Sequence, residues 1–196
     1  MLKRCAVIVI SGILLASTAF AGVTDDVKKT VEELFHICAD KNLQQHDQQR
    51  RQVLKKVINT IFDYSEMAKL TLGRHWNPRT QIERTQFTDL FSSLLDNSYI
   101  SKIESYNNEK IVYLKETIDG RYAEIKSKVV TEKRDEYTLD YRLLNQNGKW
   151  MVYDIVIEGV SLVSNYRTQF NRIINNNGYN ELVKKLQTKS SELKAT

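Results

Sequence analysis

Apolar positions recur at helical spacing through the first half of the chain and alternate through much of the second. Val27, Val31, Leu34, Phe35 and Cys38 fall on one helix face. Thr24 is placed to cap that helix, with Asp25 and Asp26 in the first turn, where the helix dipole favours acids. A polar stretch over 40–49 leads into a second helix with Val53, Leu54, Val57, Ile58, Ile61 and Phe62 on one side. After Asp63-Tyr64-Ser65, a short helix carries Met67, Leu70 and Leu72, and Gly73 suits its stop. Behind Pro78, the run Thr80-Gln81-Ile82-Glu83 has the form of a capping box. It opens the helix that reads as the most amphipathic of the chain, with Phe87, Leu90, Phe91, Leu94 and Leu95, extended by Tyr99 and Ile103. That apolar side is wide enough to line a cavity, and equally suited to packing on a sheet.

The period then shortens to two. Residues 110–115, 121–131, 137–144 and 149–157 read as strands, the last two joined as a hairpin through Asn145-Gln146-Asn147-Gly148. Short links make the sheet antiparallel. In the third strand Tyr137, Leu139, Tyr141 and Leu143 share one face, and Thr138, Asp140 and Arg142 the other. In the fourth, Met151, Tyr153, Ile155 and Ile157 point one way, and Trp150, Val152 and Val156 point the other with Asp154 among them. A strand apolar on both faces has to be covered on both. Ser161 then caps a helix carrying Leu162, Val163, Tyr166, Phe170, Ile173 and Ile174, which Asn177-Gly178 ends; a final helix from Glu181 frays into a Lys/Ser tail.

The ends of the chain change the picture. Lys3 and Arg4 precede an apolar and small-residue run from Cys5 to Phe20, closed by Ala19-Phe20-Ala21 ahead of Gly22. This is the form of a cleaved signal peptide over 1–21, and the run is too short for a membrane span. Cleavage of those 21 residues leaves 175, expected to form one domain: 22–105 mainly helical, 106–158 sheet, 159–196 C-terminal helices. Of 29 Lys and Arg, 27 remain against 24 acidic residues, a mild net +3 for a chain that meets anionic membrane surfaces rather than nucleic acid. Cys38 is the only cysteine left, continues an apolar stripe, and reads as a buried thiol without redox chemistry.

Signatures of catalysis are sparse. His36, His46 and His75 stand in separate segments without ligand spacing, so no metal is expected. Gly159-Val160-Ser161-Leu162-Val163 lacks the second glycine of a nucleophile elbow. The 7 glycines form no phosphate loop, and no cofactor is expected. Asp154, in an otherwise apolar strand, is the one carboxylate that could be tuned by burial into an acid or base, or simply held by hydrogen bonds. Arg74-His75-Trp76 sets a cation beside an aromatic ring, which suits either partner docking by Arg74 and Trp76 or a core plug.

Phe62-Asp63-Tyr64, Leu72-Gly73-Arg74-His75-Trp76 and, above all, the unbroken run from Tyr153 to Phe170 (YDIVIEGVSLVSNYRTQF) closely resemble the MlaC family, also called toluene-tolerance auxiliary proteins. The resemblance runs from the signal peptide to the last helix. It implies an α+β fold: a curved antiparallel sheet of about four strands, like that of the nuclear-transport-factor superfamily, with N- and C-terminal helices around an apolar pocket. It also implies a carrier, not an enzyme. The carrier would be a monomer moving diacyl phospholipid through a Gram-negative periplasm, between an outer-membrane lipoprotein–porin complex and an inner-membrane ABC transporter complex. The pathway is associated with outer-membrane lipid asymmetry.

Periodicity, and not the family motif, nominates the pocket wall: Phe91, Leu94, Leu95 and Tyr99, then Leu139 and Tyr141, then Val152 and Ile155, then Tyr166 and Phe170. In a regular strand Val152 and Ile155 face opposite ways, so only one of them is expected in the wall. Arg74, Arg121 and Arg142 are candidate contacts for headgroup phosphate or acidic partners. Two other readings stay open: an enzyme using Asp154 in the pocket, and an interaction module that holds no lipid.

Overall fold

The computed structural model describes residues 22–105 and 109–194; the expected signal peptide lies outside them. The first helix, α1 (Val23–Ala39), begins one residue before Thr24, with Gly22 as its N-cap and the Asp25 carboxylate accepting from the Gly22 amide at 3.0 Å. Thr24 does different work. Its amide and hydroxyl both donate to Glu116, at 2.7 and 2.6 Å, and tie the start of α1 to the sheet. The polar stretch holds a single turn, α2 (Lys41–Gln44), before α3 (Asp47–Ile61) buries Leu54, Val57, Ile58 and Ile61. Phe62 then leaves the helix in extended conformation and pairs with Val152.

Asp63 caps α4 (Tyr64–Leu72), its carboxylate accepting from the Glu66 amide at 2.9 Å. Gly73, at φ 53, stops that helix in a conformation that suits residues without a Cβ, and a single 3₁₀ turn follows. The Thr80–Glu83 capping box forms as expected and opens α5 (Gln81–Glu104). Ser161 caps α6 (Leu162–Asn177), Gly178 ends it, and α7 runs over Tyr179–Lys194, so the tail expected to fray is helical as far as Lys194.

Five antiparallel strands stand in sequence order: β1 (Lys110–Asp119), β2 (Tyr122–Val130), β3 (Glu136–Gln146), β4 (Lys149–Ile157) and β5 (Val160–Ser161). The sheet is curved and does not close, and the fifth strand exceeds the expected four. It turns back from β4 through Glu158 and Gly159, both at positive φ, the two-residue turn whose twist matches paired strands.

The pairing of β3 with β4 corrects the alternation read from the sequence. Leu143 faces Val152 and Arg142 faces Asp154, so Tyr153 is an extra residue, a β-bulge. The bulge shifts the phase of the strand. Trp150, Val152, Ile155 and Ile157 therefore share the face that Leu139, Tyr141 and Leu143 occupy on β3, while Met151, Asp154 and Val156 share the other.

Two main cores follow. Met67, Leu72, Phe87, Phe91, Phe170 and Leu182 hold α4, the first half of α5, α6 and α7 together. Edge-on ring contacts order this core: Phe87 and Phe91 each meet Phe170 at 5.7 Å, and Phe91 meets Tyr166 at 5.3 Å. The second core joins α1 and the end of α3 to the inner sheet face through Val23, Val27, Ile61, Ile125, Tyr141, Leu143 and Val152. Strand β4 is thus covered on both sides, by α1 and α3 on one and by α6 on the other, against whose cluster Tyr153 packs.

Candidate functional site: an apolar cavity

Between the inner sheet face and the helices lies a cavity of about 330 Å³, at the lower end of the size range of small-molecule pockets. Its sheet wall is Ile111, Val129, Tyr137, Leu139, Tyr141, Val152, Ile155 and Ile157. α1 supplies Val27, Val31, Leu34 and Phe35, α3 Ile58 and Ile61, α4 Met67, and the second half of α5 Leu95, Tyr99, Ile100 and Ile103. The floor is dry: Met67 is 0% exposed and Val27 and Val152 are each 1% exposed. Toward the other end Tyr137 and Ile157 are 39% and 37% exposed, and Lys102, also in the lining, is exposed. The cavity therefore runs inward from a rim at one end of β3 and β4.

Few polar groups interrupt the wall. Tyr64 donates to Asp96 at 3.1 Å, and Lys55 reaches the other Asp96 oxygen at 3.6 Å. Burial raises the Asp96 carboxyl above its ordinary value, against the pull of Lys55 and the Tyr64 hydrogen bond. The same burial pushes the Tyr64 phenol up. Burial, with Tyr166 beside it, pushes Tyr99 up to about 12, and Lys102 lies 5.2 Å from the Tyr99 ring centre. Tyr113, next to the wall, is pushed up by burial to about 12, and its hydroxyl has no partner, a cost on the order of 1–3 kcal/mol.

The nominated wall residues divide. Leu95, Tyr99, Leu139 and Tyr141 line the cavity, and so do both Val152 and Ile155, because the bulge at Tyr153 turns them to one face. Phe91, Leu94, Tyr166 and Phe170 do not; they belong to the helical core. The reason lies in α5, whose apolar residues serve two surfaces in succession. The first half packs on α4, α6 and α7, and only the stretch from Leu95 onward faces the sheet.

Sequence reasoning missed the walls from α1, α3 and α4. Their stripes were visible, but a stripe does not tell packing against a neighbour from facing a void.

The remaining candidates sit elsewhere. Arg74 is exposed on the 3₁₀ turn, with Asn171 and Asn175 accepting from it at 3.4 and 3.1 Å. Trp76 is half-buried against the helical core, beneath the Arg84 guanidinium at 5.3 Å. Arg121 is exposed beside the β1–β2 turn, at the end of the sheet away from the rim. Arg142 is held by Asp154 at 3.2 Å and by Glu124 at 3.5 Å.

Asp154, 2% exposed, accepts from Ser161, the Val163 amide and Arg142, and thereby fastens the start of α6 to β4; it is not in the cavity wall. Cys38 is a buried free thiol whose Sγ lies 3.3 Å from the Ile103 carbonyl. Among the described residues, no group of three or more His, Cys, Asp or Glu could hold a metal, and no helix is long and apolar enough to cross a membrane.

Comparison with known proteins gives this geometry a context. The intermembrane phospholipid transport system binding protein MlaC of Haemophilus influenzae is 24% identical over 193 residues, 94% of this chain and 90% of that protein. The toluene tolerance protein ttg2D of Pseudomonas putida is 25% identical over 142 residues, 71% of this chain and 66% of that protein. A phospholipid-binding protein of Ralstonia solanacearum, solved in complex with a phospholipid, superposes with a TM-score of 0.77 at 28% identity, covering 85% of this chain and 96% of that one. The family model of the MlaC protein matches residues 28–188, most of the chain, and the chain belongs to the MlaC family.

Proposed function

We propose that this chain is a periplasmic phospholipid carrier, made with a signal peptide over 1–21 and working as a single lipid-binding domain over 22–196. The observation that carries the reading is the cavity: a deep, half-open apolar space whose floor is buried and whose rim lies at one end of the sheet. The fold shared with a phospholipid-bound protein at 28% identity supports the identity of the ligand.

Energetics fix how such a ligand is held. Two acyl chains carry roughly 30 methylenes, so leaving them in water costs on the order of 24 kcal/mol at about 0.8 kcal/mol each. In this reading the tails enter the cavity and the headgroup stays at the exposed rim, where solvent makes headgroup selectivity low. Release into free water is far too slow at such a barrier, so exchange takes place while the carrier is docked on a membrane complex. The partners in this reading are an outer-membrane lipoprotein–porin complex and an inner-membrane ABC transporter complex, and the outcome is maintained outer-membrane lipid asymmetry. Arg74, bonded to Asn171 and Asn175 of α6, and Trp76, against the helical core, remain candidates for a partner contact.

Extraction of the gently purified protein with organic solvent tests the reading. Diacyl phospholipid at a stoichiometric ratio to protein is the expected result; a protein that comes out lipid-free and cannot be loaded from vesicles would overturn it.

A further inference from the structure

Among the described residues four tyrosines line the cavity, and they are not equivalent. Tyr64 spends its hydroxyl on Asp96, and Tyr99 is paired with Tyr166. Tyr141 has no such partner. It stands in the sheet wall at 6% exposure, paired across the strands with Ile125 and Ile155, and no hydrogen bond joins its hydroxyl to another described residue. Its nearest titratable neighbours are the phenols of Tyr113 and Tyr137. The Tyr113 hydroxyl is itself buried and unpaired, and Tyr137 sits at the rim, four residues before Tyr141 on β3, about 13 Å along the strand.

A strand that could be apolar throughout thus presents, at Tyr141, a hydroxyl donor that no acceptor reaches among the described residues. A buried donor of this kind is costly unless something brings an acceptor to it. A neutral acceptor fits, because the groups that bear on Tyr141 among the described residues are phenols and include no cation to balance an anion such as phosphate. A carboxylic ester carbonyl meets both conditions.

We propose that the Tyr141 hydroxyl donates to an ester carbonyl of a bound diacyl glycerophospholipid and so sets the depth of its glycerol backbone. This rests on the carrier reading and adds to it a preference for ester-linked lipid. Headgroup and tails contribute little selectivity, whereas the linkage between them is read by hydrogen bonding.

The test compares a diester phosphatidylglycerol with its dialkyl-ether analogue, matched in headgroup and chain length, by competition for the wild-type protein and for Tyr141→Phe. Wild type is expected to favour the diester by about three- to ten-fold, the usual worth of one neutral hydrogen bond. Tyr141→Phe removes only an unpaired hydroxyl and is expected to bind both lipids alike while its melting temperature stays near that of wild type. Equal binding of the two lipids by wild type overturns the proposal without any variant. A diester preference that survives in Tyr141→Phe also overturns it. If wild type binds neither lipid, the carrier reading itself has failed, an outcome distinct from both.

Discussion

At the scale of single residues, the cavity and the helical core respond to opposite kinds of change. Val152 sits on the cavity floor with open space ahead of it, so Val152→Trp fills that space. The variant is expected to cost no more than about 1–3 kcal/mol in stability and to lose most of its bound lipid, read as lipid phosphorus per protein. Phe91→Ala acts the other way. It removes a fully buried ring from the helical core and is expected to cost about 3–5 kcal/mol by denaturant unfolding, with lipid retained wherever the protein is folded.

Asp96 gives a signed pH dependence. Its native pKa lies above the ordinary 3.8, so between the two values the folded state binds the proton more tightly than the unfolded chain. Its contribution to stability therefore falls as pH rises through that window. Asp96→Asn is expected to gain on wild type in melting temperature as pH rises from 3.8, and then hold level above the native pKa; a difference that is flat with pH would contradict the assignment.

Residue roles were legible where they were local. The Ser161 cap, the Thr80–Glu83 box and the Gly73 stop all follow from side-chain chemistry within a few positions. The joint placement of Val152 and Ile155 was not, because nothing in the residues 149–157 marks Tyr153 as a bulge; only its register against Arg142 and Leu143 does.

At the scale of elements, α5 is the hinge between two functions of the fold. Its first half holds the helical cluster and its second half closes the cavity, so one continuous apolar series was legible and the change of partner along it was not. β2, β3 and β4 were read to within two residues of their ends, since alternation is a local pattern, whereas β1 runs four residues past the expected Lys115, to Asp119. β5 escaped because two residues carry no period and its turn uses Glu-Gly in place of the stronger Asn-Gly signal.

The clamp between β1 and α1 invites a direct check. Glu116 accepts from both the amide and the hydroxyl of Thr24, in the first turn of a helix that supplies Val27, Val31, Leu34 and Phe35 to the cavity wall. Glu116→Ala is expected to cost about 1 kcal/mol, the usual worth of a lost cap, and to speed amide exchange in the first turn of α1. Exchange unchanged there would mean that α1 is held by Val23 and Val27 alone.

At the scale of the whole molecule, the arrangement separates stability from capacity. The helical core of α4, α6, α7 and the start of α5 is packed with aromatic rings, whereas the sheet meets α1, α3 and the end of α5 across a space left unfilled. A chain can bury enough surface in the first to afford the second. The fold class was legible because the switch from helical to alternating period is abrupt near residue 110, and the family resemblance was carried by an unbroken run of residues. The cavity wall was legible only in part, since a void is a property of how elements fail to meet, and no single element records it.

Native mass spectrometry of the protein, purified gently from the membrane-containing cell that makes it, tests the central claim most directly. The account predicts a dominant species heavier than the polypeptide by the mass of a diacyl phospholipid, and loss of that increment in Val152→Trp. A dominant species at the bare polypeptide mass, unchanged after incubation with phospholipid vesicles, would contradict it.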